Sequence, residues 1–189
     1  MRLFIAFDLN DHARLAIAAE QERLGAALAA SRESSIRWVR PEQMHVTLVF
    51  LGEVDDERAD ALAADIGSDV AHPPFEIVFN GTGVFPPRGA PKVLWIGVTA
   101  GAEAAIAVQT ELTQRVARHG VPLETRPFQP HLTIGRWRES RPADRERILK
   151  AAGGGSISVP LDHATLYRSR LSPAGPSYME LARARLCLP

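Results

Sequence analysis

Two short stretches of the chain repeat the same chemistry-bearing residue types. Residues 45–48 read His-Val-Thr-Leu and residues 131–134 read His-Leu-Thr-Ile. In both copies a Gln lies two residues before the His and a Pro four residues before it. A single His-x-Thr is a weak signal, but the matching Gln and Pro favour a true repeat. The simpler alternative is a pair of similar buried strand beginnings, in which Thr serves only β propensity.

The spacing of the two motifs suggests acid–base chemistry on an anion. Side chains alternate faces along a strand, so His45 shares a face with Thr47, and His131 shares one with Thr133. The aliphatic residues between and after them then face a core. Imidazole titrates near neutral pH, so one copy can accept a proton while the other donates one. The hydroxyls can donate hydrogen bonds to an anion held between the two units.

Length and composition indicate a globular protein. The chain has 189 residues, of which 46% are hydrophobic, enough for a core in one or two domains. No apolar run approaches membrane-spanning length. The apolar stretch at the start of the sequence is too short for a signal peptide, and it is followed too early by an acidic residue, Asp8. A single cysteine, Cys187, excludes an internal disulfide framework and a cysteine metal cluster, so we expect a cytoplasmic protein.

Charge is distributed unevenly along the chain. Residues 1–114 carry 9 basic and 16 acidic side chains, a net charge of −7, whereas residues 115–189 carry 13 basic and 6 acidic, a net charge of +7. Such an asymmetry can place a positive surface where a polyanion docks. Surface charge without a binding role is an equal alternative, because 20 of the 22 basic residues are Arg, a bias that genome composition can produce.

Hydrophobic periodicity and turn residues predict alternating strands and helices. Asn10 can cap the first helix, whose apolar face is expected to include Leu15, Leu24 and Leu28. A turn at Pro41 precedes the first motif strand, and Asn80-Gly81 suggests a turn or bulge within a longer strand. Strands are predicted at Arg2–Leu9, Ser34–Arg40, Met44–Leu51, Phe75–Phe85, Lys92–Val98, Phe128–Arg136, Ser156–Arg168 and Ser177–Leu186, and helices at Asp11–Ala30, Asp55–Val70, Glu103–His119 and Pro142–Ala152.

The order of these elements suggests an internal duplication. His45 and His131 lie 86 residues apart, and a long helix precedes each motif strand. No polar linker separates the halves. We therefore expect residues 1–189 to form a single domain of two intimately packed lobes with a cleft between them. The short connections favour antiparallel sheets.

Taken together, these stretches resemble the 2H phosphoesterase superfamily, named for its two His-x-Thr-x motifs, and within it the bacterial and archaeal RNA 2',3'-cyclic phosphodiesterases, also called 2'-5' RNA ligases. The resemblance covers essentially the whole chain. It is carried by Arg2–Leu9, Trp38–Leu51, Gly83–Pro86 with Val93–Gly97, Pro130–Arg136, and Leu166–Leu171 with Gly175–Tyr178.

The resemblance implies a bilobal, pseudo-twofold α+β fold, with two mainly antiparallel sheets flanked by helices and both motifs in a central cleft. It implies hydrolysis of an RNA terminal 2',3'-cyclic phosphate to a 2'-phosphomonoester, with 2'-5' ligation as the reverse chemistry. His45 matches the proton donor and His131 the proton acceptor. Thr47 and Thr133 match the phosphate-binding hydroxyls, and Arg136 matches the phosphate-neutralising arginine.

The position of Arg136 needs a local irregularity. On an ideal strand, a side chain five residues after His131 points to the opposite face. Gly135 can supply a bulge that redirects Arg136 towards the cleft. With two imidazoles, two hydroxyls and one guanidinium, the reaction needs no metal and no cofactor. The expected partner is an RNA end, without a membrane, and the expected state is a monomer.

The remaining histidines and the tryptophans lack the repeated context. His12, His72, His119 and His163 are expected at the surface or as caps. Aromatic rings can stack on bases of single-stranded RNA. The candidates are Trp38, Trp95 and Trp137; Trp95 is expected in the core, and Trp137, flanked by arginines, is the better stacking candidate.

Two other functions stay open. A metal-dependent phosphohydrolase would use His45 and His131 as ligands, but it needs a third ligand that neither motif supplies. A non-catalytic RNA-binding module would not need the duplicated His and Thr. Turnover of RNA that ends in a cyclic phosphate distinguishes the three functions.

Overall fold

The computed structural model describes residues 1–29, 34–151, 153–173 and 175–188, which form ten strands, four α-helices and one short 3-10 helix, Pro41–Gln43. The strands are β1 (Arg2–Asp8), β2 (Ser35–Trp38), β3 (His45–Glu53), β4 (Val70–Ala71), β5 (Phe75–Phe85), β6 (Val93–Ala100), β7 (His131–Glu139), β8 (Ile157–Leu161), β9 (His163–Ser172) and β10 (Gly175–Cys187), and the helices are α1 (Asp11–Leu28), α2 (Asp56–Ile66), α3 (Ala102–Arg118) and α4 (Pro142–Ala151). The predicted ends of two helices, Ala30 and Ala152, lie outside the described residues.

The strands form two five-stranded sheets. The first sheet has the order β3-β1-β9-β10-β4 and the second the order β2-β7-β6-β5-β8. Neighbouring strands are antiparallel except β10 and β4, which are parallel. The two motif strands, β3 and β7, lie against each other where the sheets meet. This confirms the α+β fold with two mainly antiparallel sheets, each motif lying in its own sheet.

The rear faces of both motif strands lie in the core, as the alternation of side chains predicts. Val46 and Leu48 are buried behind β3, and Leu132 and Ile134 are buried behind β7. The described side chains of the core form one continuous cluster that includes residues of both sheets and of all four helices. Among the described residues, no helix is long and apolar enough to cross a membrane.

Helix α1 begins as predicted, and two of the three leucines expected on its apolar face, Leu24 and Leu28, are buried. Its cap is confirmed, because the Asn10 side chain accepts a hydrogen bond from the backbone N–H of Ala13. The expectation for Leu15 is wrong: this side chain is 72% exposed, whereas Ile17 is fully buried. Two helical residues that are two positions apart differ by about 200° in direction, so only one of these two side chains can face the sheet.

Two predicted elements are each split in the structure, because part of each pairs with a strand that is distant in the sequence. Helix α2 stops at Ile66 with Gly67 as its cap, and Val70 leaves to pair with Leu186 in the first sheet. The single strand predicted from Ser156 is instead two strands that belong to different sheets. The break falls at Asp162, whose carbonyl accepts a hydrogen bond from the backbone N–H of Leu186.

Candidate active site

The two motif histidines are held in the same way. The Nδ1 atom of His45 lies 2.8 Å from the carbonyl oxygen of Gln43, and Nδ1 of His131 lies 2.8 Å from the carbonyl oxygen of Gln129. A carbonyl oxygen only accepts, so each ring donates from Nδ1–H. In the neutral imidazole, Nε2 then carries the free lone pair. Each histidine therefore presents Nε2 for proton transfer.

Both motifs open onto one cavity of about 400 Å³. His45, Thr47, His131 and Thr133 line it, and Arg136 joins them. Neither Thr hydroxyl makes a hydrogen bond within the described part of the chain, so both are available to a bound anion. All five residues that the sequence analysis selected meet at this cavity; their chemical roles stay predictions.

A bulge in β7 brings Arg136 to the cavity. Leu94 on β6 pairs with Gly135, and the next residue, Trp95, pairs with Thr133, so Ile134 is the extra residue. The expected bulge is therefore confirmed. The missing side chain at Gly135 leaves room for the neighbouring strand β2, because a Cβ there would lie only 2.7 Å from the Ile36 Cδ1 atom. Arg136 therefore lies on the same face of β7 as Thr133, although on a regular strand residues three positions apart face opposite sides.

The same bulge overturns the expectations for two tryptophans. Trp137 is only 9% exposed and packs in the core, so it is not the better stacking candidate. Trp95 is partly exposed, and its ring centroid lies 6.2 Å from that of His131 and 5.2 Å from that of Phe85. Because one extra residue reverses the alternation beyond Ile134, the side chain of Trp137 turns inward.

Aromatic packing makes the surroundings of His45 less polar than ordinary solvent. Its ring centroid lies 4.8 Å from that of Phe4, and Tyr178 meets it edge-on at 5.2 Å. Burial lowers the pKa of His45, and the nearby charge of Arg136 adds to this. The Gln43 carbonyl and the charge of Asp8 act on this pKa in the opposite direction but do not outweigh burial.

Asp8 lies at the centre of a hydrogen-bonded network that the sequence analysis missed. Its carboxylate accepts hydrogen bonds at 2.7 Å from the hydroxyls of Thr165 and Tyr167, and Nε2 of His163 lies 3.3 Å away. Burial opposes ionisation of Asp8, but these donors outweigh it and lower its pKa. The expectation of a surface or capping role is wrong for His163, which is half-buried. His119 does follow α3 as a capping residue, with Nε2 3.0 Å from Asp65.

The charges of the site favour an anion. Arg2 and Arg136 both line the first cavity, and none of the described residues around it is acidic. A second cavity of about 650 Å³ adjoins it and shares Thr47, Phe50, His131, Thr133 and Arg136. In the described ranges, no three His, Cys, Asp or Glu side chains come together as a metal site would require.

Several known proteins are similar to this chain in sequence and in architecture. The 2'-5' RNA ligase superfamily matches residues 14–172. An RNA 2',3'-cyclic phosphodiesterase of Thermotoga maritima is 33% identical over 96% of this chain and 93% of its own. The crystal structure of TT0787 from Thermus thermophilus has a TM-score of 0.75 at 28% identity, covering 98% of both chains.

A second solved structure is that of Escherichia coli LigT complexed with 3'-AMP. It has a TM-score of 0.74 at 26% identity and covers 98% of this chain and 97% of LigT. The family match extends over most of the chain and includes both His-Thr units and the bulged strand that carries Arg136. On this evidence the chain belongs to the 2'-5' RNA ligase superfamily.

Proposed function

We propose that this protein is an RNA 2',3'-cyclic phosphodiesterase that hydrolyses the terminal cyclic phosphate of an RNA to a 2'-phosphomonoester. One observation carries the proposal: two imidazoles and two unpaired Thr hydroxyls line a single cavity that also holds Arg136 and has no acidic lining among the described residues. The Thermotoga maritima relative bears this activity in its name, and LigT has been crystallised with a nucleotide.

The proposed mechanism uses one histidine for each proton. His131 accepts a proton at Nε2 from the attacking water, whose oxygen forms a bond to phosphorus. The bond between phosphorus and the ribose 3' oxygen breaks, and His45 donates a proton from Nε2 to that oxygen. Positioned acid–base groups of this kind contribute about 10²–10⁴-fold each.

The other three side chains stabilise charge on the phosphate. The hydroxyls of Thr47 and Thr133 donate hydrogen bonds to its oxygens, and the Arg136 guanidinium neutralises it as a planar fork of donors. Donors that are already in place need little reorganisation as charge develops. No step of this mechanism requires a metal ion.

The same displacement with a different nucleophile gives 2'-5' RNA ligation. A 5' hydroxyl replaces water, attacks the cyclic phosphate and leaves a 2'-5' linkage with a free 3' hydroxyl. The larger cavity supports this second activity, because it contains His131 but not His45 and therefore opens on the side of the attacking group.

The test is hydrolysis of a short oligonucleotide that ends in a 2',3'-cyclic phosphate, after exhaustive chelation. We expect addition of one water and a product with only a 2'-phosphate. A 3'-phosphate product would contradict the assignment of the leaving oxygen. Loss of turnover on chelation, with recovery on adding zinc, would favour the metallohydrolase, and binding without turnover would favour the RNA-binding module.

We also propose a single domain, a monomeric state and a cytoplasmic location. The continuous core cluster supports the single domain, and the one free cysteine is compatible with a reducing compartment. Light scattering on the purified protein tests the monomer: a mass of 20.6 kDa is expected, and twice that mass would contradict it.

A further inference from the structure

The two cavities differ in which histidine they contain. Both histidines line the first cavity, but only His131 lines the larger one. In phosphoryl transfer the attacking and leaving oxygens lie roughly in line, on opposite sides of phosphorus. If His45 protonates the ribose oxygen, the ribose lies on the side of the first cavity. The RNA chain attached to that ribose then also leaves through the first cavity.

Arg2 lines this first cavity and not the larger one. It lies two residues before Phe4 on the same face of β1, and Phe4 packs on the His45 ring. Two residues along a strand span about 7 Å. Arg2 therefore lies further from His45 in the direction in which the RNA chain would extend, and not beside the cyclic phosphate itself.

The guanidinium of Arg2 is held in place but its charge is not neutralised. Its Cζ atom lies 5.1 Å from the ring centroid of Phe50, within the range of a cation–π contact. Arg2 makes no ion pair or side-chain hydrogen bond with any described residue, and no acidic residue lies among the described lining of the cavity. An arginine left unpaired beside a cationic cleft is suited to a second phosphate, which it can bind through two parallel hydrogen bonds.

We propose that Arg2, supported by Phe50, binds the phosphodiester on the 5' side of the terminal nucleotide. The substrate class is then an oligonucleotide end, and a cyclic mononucleotide, which lacks that phosphodiester, is a poorer substrate. This inference rests on the proposed function, and it adds a specificity residue that acts on substrate binding away from the reacting phosphorus.

The experiment compares three substrates: adenosine 2',3'-cyclic phosphate, the dinucleotide ApA with a terminal 2',3'-cyclic phosphate, and the same dinucleotide with an uncharged methylphosphonate linkage. We expect kcat/KM of the charged dinucleotide to exceed that of the uncharged one by about tenfold, the effect of one charged hydrogen bond. This ratio should fall as salt is added, because contacts to phosphates weaken with ionic strength.

Arg2→Gln should bring the ratio of charged to uncharged dinucleotide close to one, and Arg2→Lys should give an intermediate ratio. The matched control is Arg170→Gln, which removes the same charge from an exposed residue of β9 that lines neither cavity. It should keep the wild-type ratio. Thermal melts of each variant establish that it is folded.

Each other outcome has a definite meaning. A wild-type ratio near one would overturn the proposal while leaving cyclic-phosphate hydrolysis intact. Equal losses on all three substrates in folded Arg2→Gln would overturn it too, because Arg2 would then act on the cyclic phosphate. Failure of the wild type to hydrolyse any of the three would refute the proposed function itself.

Discussion

Phe50 and Arg136 occupy equivalent positions in the two motif strands, each five residues after a cavity histidine and just beyond a bulge. In β3, Ile5 pairs with Val49 and Ala6 with Thr47, so Leu48 is the extra residue, as Ile134 is in β7. Both side chains line both cavities. The two halves thus share a backbone irregularity but supply different chemistry, an aromatic ring from one and a cation from the other.

This asymmetry makes Arg136 the one arginine or lysine that the two motif strands provide to the cavities. We expect Arg136→Lys to lower kcat/KM less than replacement of either motif histidine by Ala, because lysine keeps the charge and loses only the planar fork. Arg136→Gln, which loses the charge, should be worse than Arg136→Lys. Steady-state hydrolysis of a cyclic-phosphate oligonucleotide measures both, and equal activities of the two variants would show that charge is not what Arg136 contributes.

The two histidines should behave as one unit. His45→Ala and His131→Ala should each lower turnover by about 10²–10⁴-fold, since each removes one proton transfer. The double variant should be little worse than the more impaired single variant, because groups that act together are not additive. His12→Ala, at an exposed position on α1, is the control and should keep wild-type turnover. Near-normal turnover by either motif variant would end the two-histidine mechanism.

Burial of His45 predicts the position of one limb of the pH profile. As a proton donor His45 must be protonated, and burial holds its pKa below the ordinary value of 6.5, so the limb of the kcat/KM profile that reports His45 should lie below pH 6.5. Asp8→Asn removes a negative charge that favours the protonated ring, and should move this limb to lower pH.

Tyr167→Phe is the matched control for this measurement. It removes one hydroxyl that donates to Asp8 but leaves the Asp8 charge in place, so the limb that reports His45 should move less than in Asp8→Asn. The pKa values read from such a profile belong to the coupled pair of histidines. A limb that does not respond to Asp8→Asn would contradict the assignment of His45 as the donor.

The Asp8–His163 pair should make stability depend on pH. The hydrogen bond to Asp8 raises the pKa of His163, although burial opposes this. A raised folded-state pKa stabilises the protein below the unfolded value of 6.5, and this contribution is lost as pH rises through the folded value. Asp8 behaves oppositely: its pKa is lowered from 3.8, so its contribution is lost as the solution becomes acidic.

We therefore expect the Tm difference between the wild type and His163→Gln to be largest between pH 3.8 and pH 6.5, the ordinary pKa values of Asp8 and His163. The difference should shrink as pH rises above 6.5. Thermal melts across this range measure it. His12→Gln, on an exposed part of α1, serves as the control for loss of a histidine. A Tm difference that stays constant with pH would show that His163 contributes through packing alone.

Gly83 should be intolerant of any side chain because Trp95 occupies its space. A Cβ at Gly83 would lie 2.1 Å from Cζ2 of Trp95. Gly83→Ala should cost about 1–3 kcal/mol in the free energy of unfolding, the usual effect of overpacking. It should also lower kcat, since Trp95 packs near His131. Urea unfolding measures the first effect, and Gly155→Ala, with no atom within 4 Å of its added Cβ, should be neutral.

The sequence by itself determined the features that depend on local periodicity. Alternation along a strand was enough to place His45 with Thr47, and to bury Val46 behind them. The need for a bulge near Gly135 followed once the family resemblance had placed Arg136 at the phosphate, because Arg136 has the wrong parity for the cavity on a regular strand. Propensity and capping located all four helices, since these signals lie within a few residues of one another.

Only the tertiary structure decided features that depend on distant partners. Whether Leu15 or Ile17 faces the sheet depends on how α1 packs. Val70 is in a strand and not in helix α2, because it pairs with Leu186 from the other end of the chain. The exact place of the bulge decided which tryptophan, Trp95 or Trp137, lies beside His131. Asp8 contacts His163 because β1 and β9 are neighbours in the first sheet. The order of strands in a sheet is set by the packing of the whole core, which no local sequence pattern encodes.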